Sequence, residues 1–104
     1  PEMGHTGITE FVRIARGAHS RGITLLPHAT IGSGIFLAAS LQAGLAMEGL
    51  IGHEFQHSIF NRNTGLITEG LECSEGAYAV ADSPGIGIEP TDELISQLER
   101  ANAY

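Results

Sequence analysis

Residues 22–34 read Gly22-Ile23-Thr24-Leu25-Leu26-Pro27-His28-Ala29-Thr30-Ile31-Gly32-Ser33-Gly34. A run of apolar and β-branched residues stands there between a glycine and a proline, which predicts a strand over residues 23–26 that is buried on both faces. The glycine-punctuated loop at residues 29–34 leads into an apolar helix predicted over residues 35–47. A strand followed by a loop and a helix is typical of a parallel βα unit. The stretch therefore predicts an α/β fold.

The residues before this stretch predict another helix and the place where it stops. Apolar side chains recur at helical spacing over residues 8–20, and Thr9 is the expected N-cap. Gly22 is the expected terminator, because glycine adopts the left-handed conformation at low cost. The order helix, strand, loop, helix is that of successive βα units.

Beyond residue 50 the pattern becomes less regular. Residues 50–60 are compatible with a short strand or with a helix. Two short runs, residues 71–73 and 77–80, flank a turn that contains Gly76 and predict a β-hairpin. A last helix is predicted from Thr91, because a threonine followed by two acidic residues suits the start of a helix.

The charge balance and the cysteine count exclude several classes of protein. The chain has 104 residues, of which 12 are acidic and 5 are basic, and its formal net charge is −7. We therefore expect neither nucleic acid nor an anionic membrane as a partner, because both bind basic surfaces. All basic residues are arginines, so lysine chemistry such as Schiff-base formation is excluded. Cys73 is the single cysteine, which favours a reducing, cytoplasmic location, and we expect no membrane span and no leader peptide.

One short motif suggests a zinc peptidase. The residues His53-Glu54-Phe55-Gln56-His57 match the pattern H-E-x-x-H. On a helix, His53 and His57 would share a face and bind Zn²⁺, Glu54 would activate the zinc-bound water, and Glu69 could supply a third ligand. Glycines before the motif and asparagines after it are weak helix formers, which disfavours this hypothesis. It remains an alternative.

Three motifs in a fixed order resemble the C-terminal part of enolase-superfamily enzymes of the mandelate racemase and muconate lactonizing type. The resemblance lies close to the acid-sugar dehydratases, of which galactonate dehydratase is an example. Residues 1–10 resemble the end of the family's sixth barrel strand and the following helix, residues 22–34 its seventh strand and histidine loop, and Pro84-Gly85-Ile86-Gly87-Ile88-Glu89 its final motif. Two departures are that Glu2 stands where the family has aspartate, and that Gly7 stands alone where the family usually has two glycines.

The resemblance implies a fold and its internal boundaries. It implies the last part of a (β/α)₈ TIM barrel, from the end of strand 6 to strand 8, within residues 1–63. Residues 64–104 would then form a C-terminal tail, a hairpin and a helix that return to a capping domain. Because a complete barrel takes about 250 residues, we expect the chain to be a fragment of a longer enzyme. The H-E-x-x-H residues become the eighth strand and its exit.

The resemblance also implies the chemistry. His28 would move a proton to or from the carbon next to a carboxylate, Glu2 would hydrogen-bond His28 and fix its tautomer, and Glu54 would face the substrate carboxylate and stabilise the enediolate. The reaction would be a Mg²⁺-dependent proton abstraction on a small hydroxy-carboxylate, in a sugar-acid dehydratase or else a racemase. The Mg²⁺ ligands would come from strands upstream of this chain. We expect His5, His19 and His57 to be structural or surface residues.

The isolated chain is a separate matter from its parent enzyme. Open strand edges and an apolar helix face around Phe36, Leu37 and Leu41 would favour association, with copies of the chain or with the rest of the barrel. We therefore expect the isolated chain to be inactive and not to be a compact monomer. A non-catalytic interaction module remains a third hypothesis, and the sequence leaves open which hydroxy acid is the substrate.

Overall fold

A computed structural model describes residues 1–28, 32–68 and 70–103 of the chain. Across these residues the elements are helices α1 (Met3–His19), α2 (Gly34–Leu45), α3 (His57–Thr64) and α4 (Asp92–Ala101), with strands β1 (Leu71–Ser74) and β2 (Ala77–Val80) between α3 and α4. Of the predicted loop at residues 29–34, the first three residues lie outside the described residues. Glu69 lies outside them as well. None of the described helices has the length and the apolar character needed to cross a membrane.

Helix α1 begins earlier than the sequence pattern predicts. It starts at Met3 and bends at Gly7, which has the non-helical angles φ 74° and ψ 164°. The prediction of Thr9 as N-cap is therefore wrong, because the residues before it already form a helical turn with Glu2 at the N-cap. The predicted terminator is confirmed, since Gly22 has φ +70° and donates a backbone hydrogen bond to the end of the helix.

The predicted strand at residues 23–26 is reduced to a single parallel bridge between Leu25 and Leu50. The amide of Leu25 donates to the oxygen of Gly49 at 3.0 Å, and the amide of Ile51 donates to the oxygen of Leu25 at 3.1 Å. Residues 25–28 and 50–54 are therefore two extended segments that run in parallel, called here the central and the outer segment.

The predicted burial of residues 23–26 on both faces is wrong for this chain. Ile23 is 53% exposed and Leu26 is 51% exposed. The described residues supply no layer that covers these side chains, and the space beside Leu26 is an open cavity of about 790 Å³. Leu41, Leu45 and Phe55 contribute to the walls of this cavity.

The hydrophobic core lies between α2 and the C-terminal part of the chain. Its buried members are Leu37, Ala38, Leu41, Ile67 and Leu71. The predicted open apolar face of α2 is therefore wrong for Leu37 and Leu41, because Ile67 and Leu71 cover them, while Phe36 is half-buried. Helix α1 adds Phe11 and Ala15, which are one turn apart and buried.

The structure decides between the two possibilities for residues 50–60. The chain is extended up to Gln56 and then forms α3. The hairpin is confirmed, with Leu71 paired to Val80 and Ser74 paired to Ala77. Its turn places Glu75 and Gly76 at positive φ, as a two-residue hairpin turn requires.

The predicted cap of the last helix is also confirmed. The side chain of Thr91 accepts a hydrogen bond from the amide of Leu94 at 3.3 Å. Thr91 and Leu66 are also joined by a backbone hydrogen bond of 3.0 Å, which ties the start of α4 to the end of α3.

Candidate active site

The three residues predicted to carry the chemistry lie at one edge of the molecule, where extended segments end side by side. The amide of His28 donates to the oxygen of Pro1 at 3.0 Å, and the amide of Glu54 donates to the oxygen of Pro27 at 3.1 Å. This backbone pairing places Glu2, His28 and Glu54 next to one another. The placement agrees with the sequence-based expectation that these residues share a site.

The imidazole of His28 lies between two carboxylates. Its Nδ1 is 3.2 Å from Oε2 of Glu2, and its Nε2 is 3.6 Å from Oε2 of Glu54. The first distance is that of a hydrogen bond, whereas the second is an electrostatic contact that leaves room for adjustment. Each ring nitrogen of His28 thus faces a carboxylate oxygen, an arrangement in which an imidazole can hold a proton or pass one on.

The three side chains differ in exposure. Glu2 is 18% exposed, His28 is 48% exposed and Glu54 is 39% exposed. Glu2 is therefore the enclosed partner, and the ring of His28 is open to a ligand on the side that carries Nε2 and Glu54. The gradient suits an orienting role for Glu2 and a reacting role for His28.

A second histidine contacts the enclosed carboxylate. Nε2 of His5 is 3.4 Å from Oε2 of Glu2, and the His5 side chain is 82% exposed. His5, His19 and His57 are all exposed, which matches their expected surface character. Exposed ion pairs of this kind contribute little to stability.

Glycine is required next to the enclosed carboxylate. A Cβ atom on Gly4 would lie 2.7 Å from the ring of Phe36 and 3.3 Å from Oε1 of Glu2. Gly4 therefore allows the ring of Phe36 on α2 to pack against the first turn of α1, beside Glu2. The packing of Phe36 thus connects the site to α2.

The backbone of Glu54 is held by His53, which the sequence suggested only as a zinc ligand, and by Tyr78, while Ser40 supports His53; the sequence suggested no role for Tyr78 or Ser40. Nδ1 of His53 is 2.9 Å from the Glu54 oxygen, and the hydroxyl of Tyr78 donates to the same oxygen at 3.2 Å. Nε2 of His53 is 2.8 Å from Oγ of Ser40, a residue of α2 that is fully buried. Ser40 and Tyr78 are 13 and 24 positions away from their partners, so no local sequence signal could have linked them.

Burial shifts the acid–base properties of two of these groups. Desolvation lowers the pKa of His53, although its contact with Glu54 acts in the opposite direction. Burial raises the pKa of Tyr78 to about 12, and the neighbouring Cys73 and Glu54 add to the effect. Both groups are therefore neutral near pH 7. His53 and Tyr78 also line the cavity of about 790 Å³, and their rings meet edge to face at 5.7 Å.

The helical zinc site is wrong. His53 belongs to an extended segment, His57 is the first residue of α3, and the two imidazoles do not share a helical face. The pairing of Glu54 with Pro27 holds this part of the motif in an extended conformation. Within residues 1–28, 32–68 and 70–103, no group of three or more His, Cys, Asp or Glu side chains could hold a metal ion, and Glu69 lies outside these residues.

Comparison with known proteins points to a single family. The family model described as enolase C-terminal domain-like matches residues 1–94. D-galactonate dehydratase of Xanthomonas campestris pv. campestris is 31% identical over 98% of this chain and 28% of that enzyme. D-galactarolactone cycloisomerase of Agrobacterium fabrum is 29% identical over 91% of this chain and 27% of that enzyme.

A solved structure agrees with this assignment. The structure of a member of the enolase superfamily from Agrobacterium tumefaciens is 51% identical, with a TM-score of 0.87 over 92% of this chain and 25% of that one. The chain thus spans between a quarter and three tenths of the length of the proteins that it matches.

Proposed function

The chain belongs to the enolase C-terminal domain-like family, and on this premise we propose that it supplies the proton-transfer groups of a longer enzyme that abstracts the proton next to a carboxylate. One observation carries the proposal. The imidazole of His28 is held between the carboxylates of Glu2 and Glu54, with one carboxylate at each ring nitrogen.

The two carboxylates have different roles because they face different nitrogens of His28. Glu2 accepts a hydrogen bond from Nδ1–H of His28, which leaves Nε2 free to take or give the proton at the substrate carbon. Glu54 faces the same nitrogen from the other side, where the enediolate forms. From this place Glu54 would stabilise or protonate the enediolate as negative charge develops on its oxygen.

The substrate that we propose is a sugar acid, and the reaction is its dehydration. His28 Nε2 takes the proton from the carbon next to the carboxylate and returns it to the hydroxyl on the adjacent carbon, which departs as water. The resulting enol converts to a 2-keto acid. The relative named as a D-galactonate dehydratase supports this choice. Racemisation at the same carbon is the other reaction in which His28 could transfer this proton.

A second candidate is an isomerisation without net loss of water. The relative named as a D-galactarolactone cycloisomerase, 29% identical over 91% of this chain, favours it. Both reactions begin at the same kind of carbon, so His28 has the same role in each.

Mg²⁺ is part of the proposal for the whole enzyme but not for this chain. The described residues offer no group of three metal-ligating side chains, so they do not fit the ion, and we place its ligands elsewhere in the longer protein. When bound there, Mg²⁺ would neutralise charge on the enediolate. No step above depends on it.

For the architecture we propose the last part of a TIM barrel in residues 1–63 and a tail at residues 64–104 that returns to a capping domain. The parallel pairing of the central and outer segments supports this assignment. The exposure of Ile23 and Leu26 is what barrel strands would show without their neighbours. We further propose that the rest of the barrel covers the exposed side chains of Ile23 and Leu26. The longer enzyme is proposed to be a homo-oligomer and to be cytoplasmic.

The test replaces His28 in the longer enzyme. His28→Asn should lower kcat by about 10²- to 10⁴-fold, the usual contribution of a positioned acid–base group. It should also stop exchange of the proton next to the carboxylate when the reaction runs in D₂O. The assay uses a panel of sugar acids and their lactones, which separates dehydration from isomerisation.

His19→Asn is the matched control, because His19 is an exposed histidine at the end of α1 and lies outside the site. Its activity should equal that of the parent enzyme. A His28→Asn variant with unchanged activity and unchanged deuterium exchange would refute the assignment of His28.

A further inference from the structure

The backbone oxygen of Glu54 accepts two hydrogen bonds from side chains of different elements. Nδ1 of His53 lies 2.9 Å away and the hydroxyl of Tyr78 on β2 lies 3.2 Å away. A carbonyl oxygen has two lone pairs, so these two donors saturate it. The peptide that follows Glu54 is therefore held from the outer segment and from the hairpin at once.

The chemistry of these groups determines where each proton lies. A carbonyl can only accept, so Nδ1 of His53 carries a hydrogen. Burial lowers the pKa of His53, so the ring is neutral and its Nε2 is an acceptor. The hydroxyl of Ser40, 2.8 Å from Nε2, is then the donor. The bonds thus run in one direction, from Ser40 through His53 to Glu54.

This chain of bonds starts from a buried residue. Ser40 lies in the middle of α2, on the face that packs into the core, and is fully buried. Its neighbour Leu41 belongs to the core cluster that also contains Leu71 of β1, and Tyr78 packs against that cluster. The core below the site therefore determines where the oxygen of Glu54 lies.

We propose that Ser40, His53 and Tyr78 are positioning residues that hold the carboxylate of Glu54 beside Nε2 of His28, with His53 locked as its Nδ1–H tautomer. The carboxylate and the carbonyl belong to the same residue, so a rotation of this peptide would move Oε2 away from its place 3.6 Å from Nε2. The positioning role rests on the proposed function of Glu54, whereas the tautomer of His53 does not.

The first experiment measures the tautomer in the longer enzyme that contains this chain. Nitrogen-15 labelling of histidine, with long-range proton–nitrogen correlation at neutral pH, separates protonated from unprotonated ring nitrogens. The signals of His53 are assigned by their loss in His53→Asn. The expected result is a protonated Nδ1 and an unprotonated Nε2, and the opposite tautomer or a doubly protonated ring would overturn the proposal.

The second experiment tests the positioning role with conservative substitutions. Tyr78→Phe keeps the ring and removes one of the two bonds to the Glu54 oxygen, and should lower kcat by about tenfold with little change in KM, the equivalent of one hydrogen bond. His53→Leu should cost at least as much. His53→Asn should restore most of the loss, because the amide nitrogen of asparagine can occupy the place of Nδ1.

Ser20→Ala is the control, since it removes an exposed serine–backbone hydrogen bond of 3.0 Å outside the site. A merely structural role would lower the amount of folded enzyme and leave the kcat of the folded fraction unchanged, so an unchanged kcat in Tyr78→Phe and His53→Leu would overturn the proposal. The outcomes of the two proposals remain separate. Loss of activity in His28→Asn together with the wrong tautomer of His53 would refute the positioning role and leave the proposed function in place. The right tautomer in a protein that abstracts no proton would refute the proposed function, and with it the positioning role, and would leave only the direction of the hydrogen bonds from Ser40 through His53 to Glu54.

Discussion

The two sides of this molecule differ in how complete they are. The side formed by α2 and the C-terminal hairpin has a closed core, in which Leu37, Leu41 and Leu71 are almost fully buried. The side formed by the central and outer segments leaves Ile23, Leu26 and other large apolar side chains about half exposed or more. The candidate catalytic residues lie at the end of the open side, whereas two of the residues proposed to position Glu54, Ser40 of α2 and Tyr78 of β2, belong to the closed side. Among the residues that the structure describes, the scaffold of the site is thus present, whereas side chains that would cover the central and outer segments are not.

The largest expected effect of the difference between the two sides concerns the isolated chain. Because its central and outer segments lack cover, we expect the 104 residues alone to associate and to show no proton-abstraction activity. Size-exclusion chromatography with light scattering measures the association, and a panel of sugar acids in D₂O measures the activity. A monodisperse single chain that unfolds cooperatively, or exchange activity in the isolated chain, would contradict the expectation.

Substitutions on the two sides should differ in how much stability they cost, which is a smaller effect. In the 104-residue chain, Leu41→Ala removes a buried side chain from the closed side. This change should lower the free energy needed to open α2 by about 2–5 kcal/mol. Leu26→Ala removes a half-exposed side chain from the open side and should cost less than about 1 kcal/mol. Amide hydrogen exchange at a fixed protein concentration measures both values. Equal losses in the two variants would show that the sides do not differ in packing.

The smallest effect concerns pH, at the junction of the two sides. Burial lowers the pKa of His53 below its ordinary value of 6.5, so the unfolded chain takes up a proton there before the folded chain does. His53 therefore supports full stability above pH 6.5, and stability falls as the pH drops from 6.5 through the folded-state pKa. The urea midpoint of the longer enzyme, measured over this range, should decline less in His53→Asn than in the parent. A parallel decline in both proteins would show that His53 does not contribute.

The features that were predicted correctly depend on neighbours in the sequence. Gly22, three positions after the last residue of α1, turns the chain away from the helix with a positive φ, and the hairpin turn likewise has Glu75 and Gly76 at positive φ. Thr91 caps α4 through a hydrogen bond to a residue three positions on. The error at Thr9 is also local, because the non-helical angles of Gly7 separate two helical pieces and Ile8 already belongs to the second one.

Short stretches of sequence suffice to predict α1, α2, α4 and the hairpin, and to recognise the family motifs that single out Glu2, His28 and Glu54. The extended conformation of the residues around Glu54, in contrast, depends on a long-range hydrogen bond to Pro27 that competes with the helical pattern of the zinc-like motif. The tertiary structure also decided which face of α2 is covered, and it joined Ser40, His53 and Tyr78 to a single backbone oxygen. Contacts between residues far apart in the chain arise from packing, and a local pattern carries no record of them.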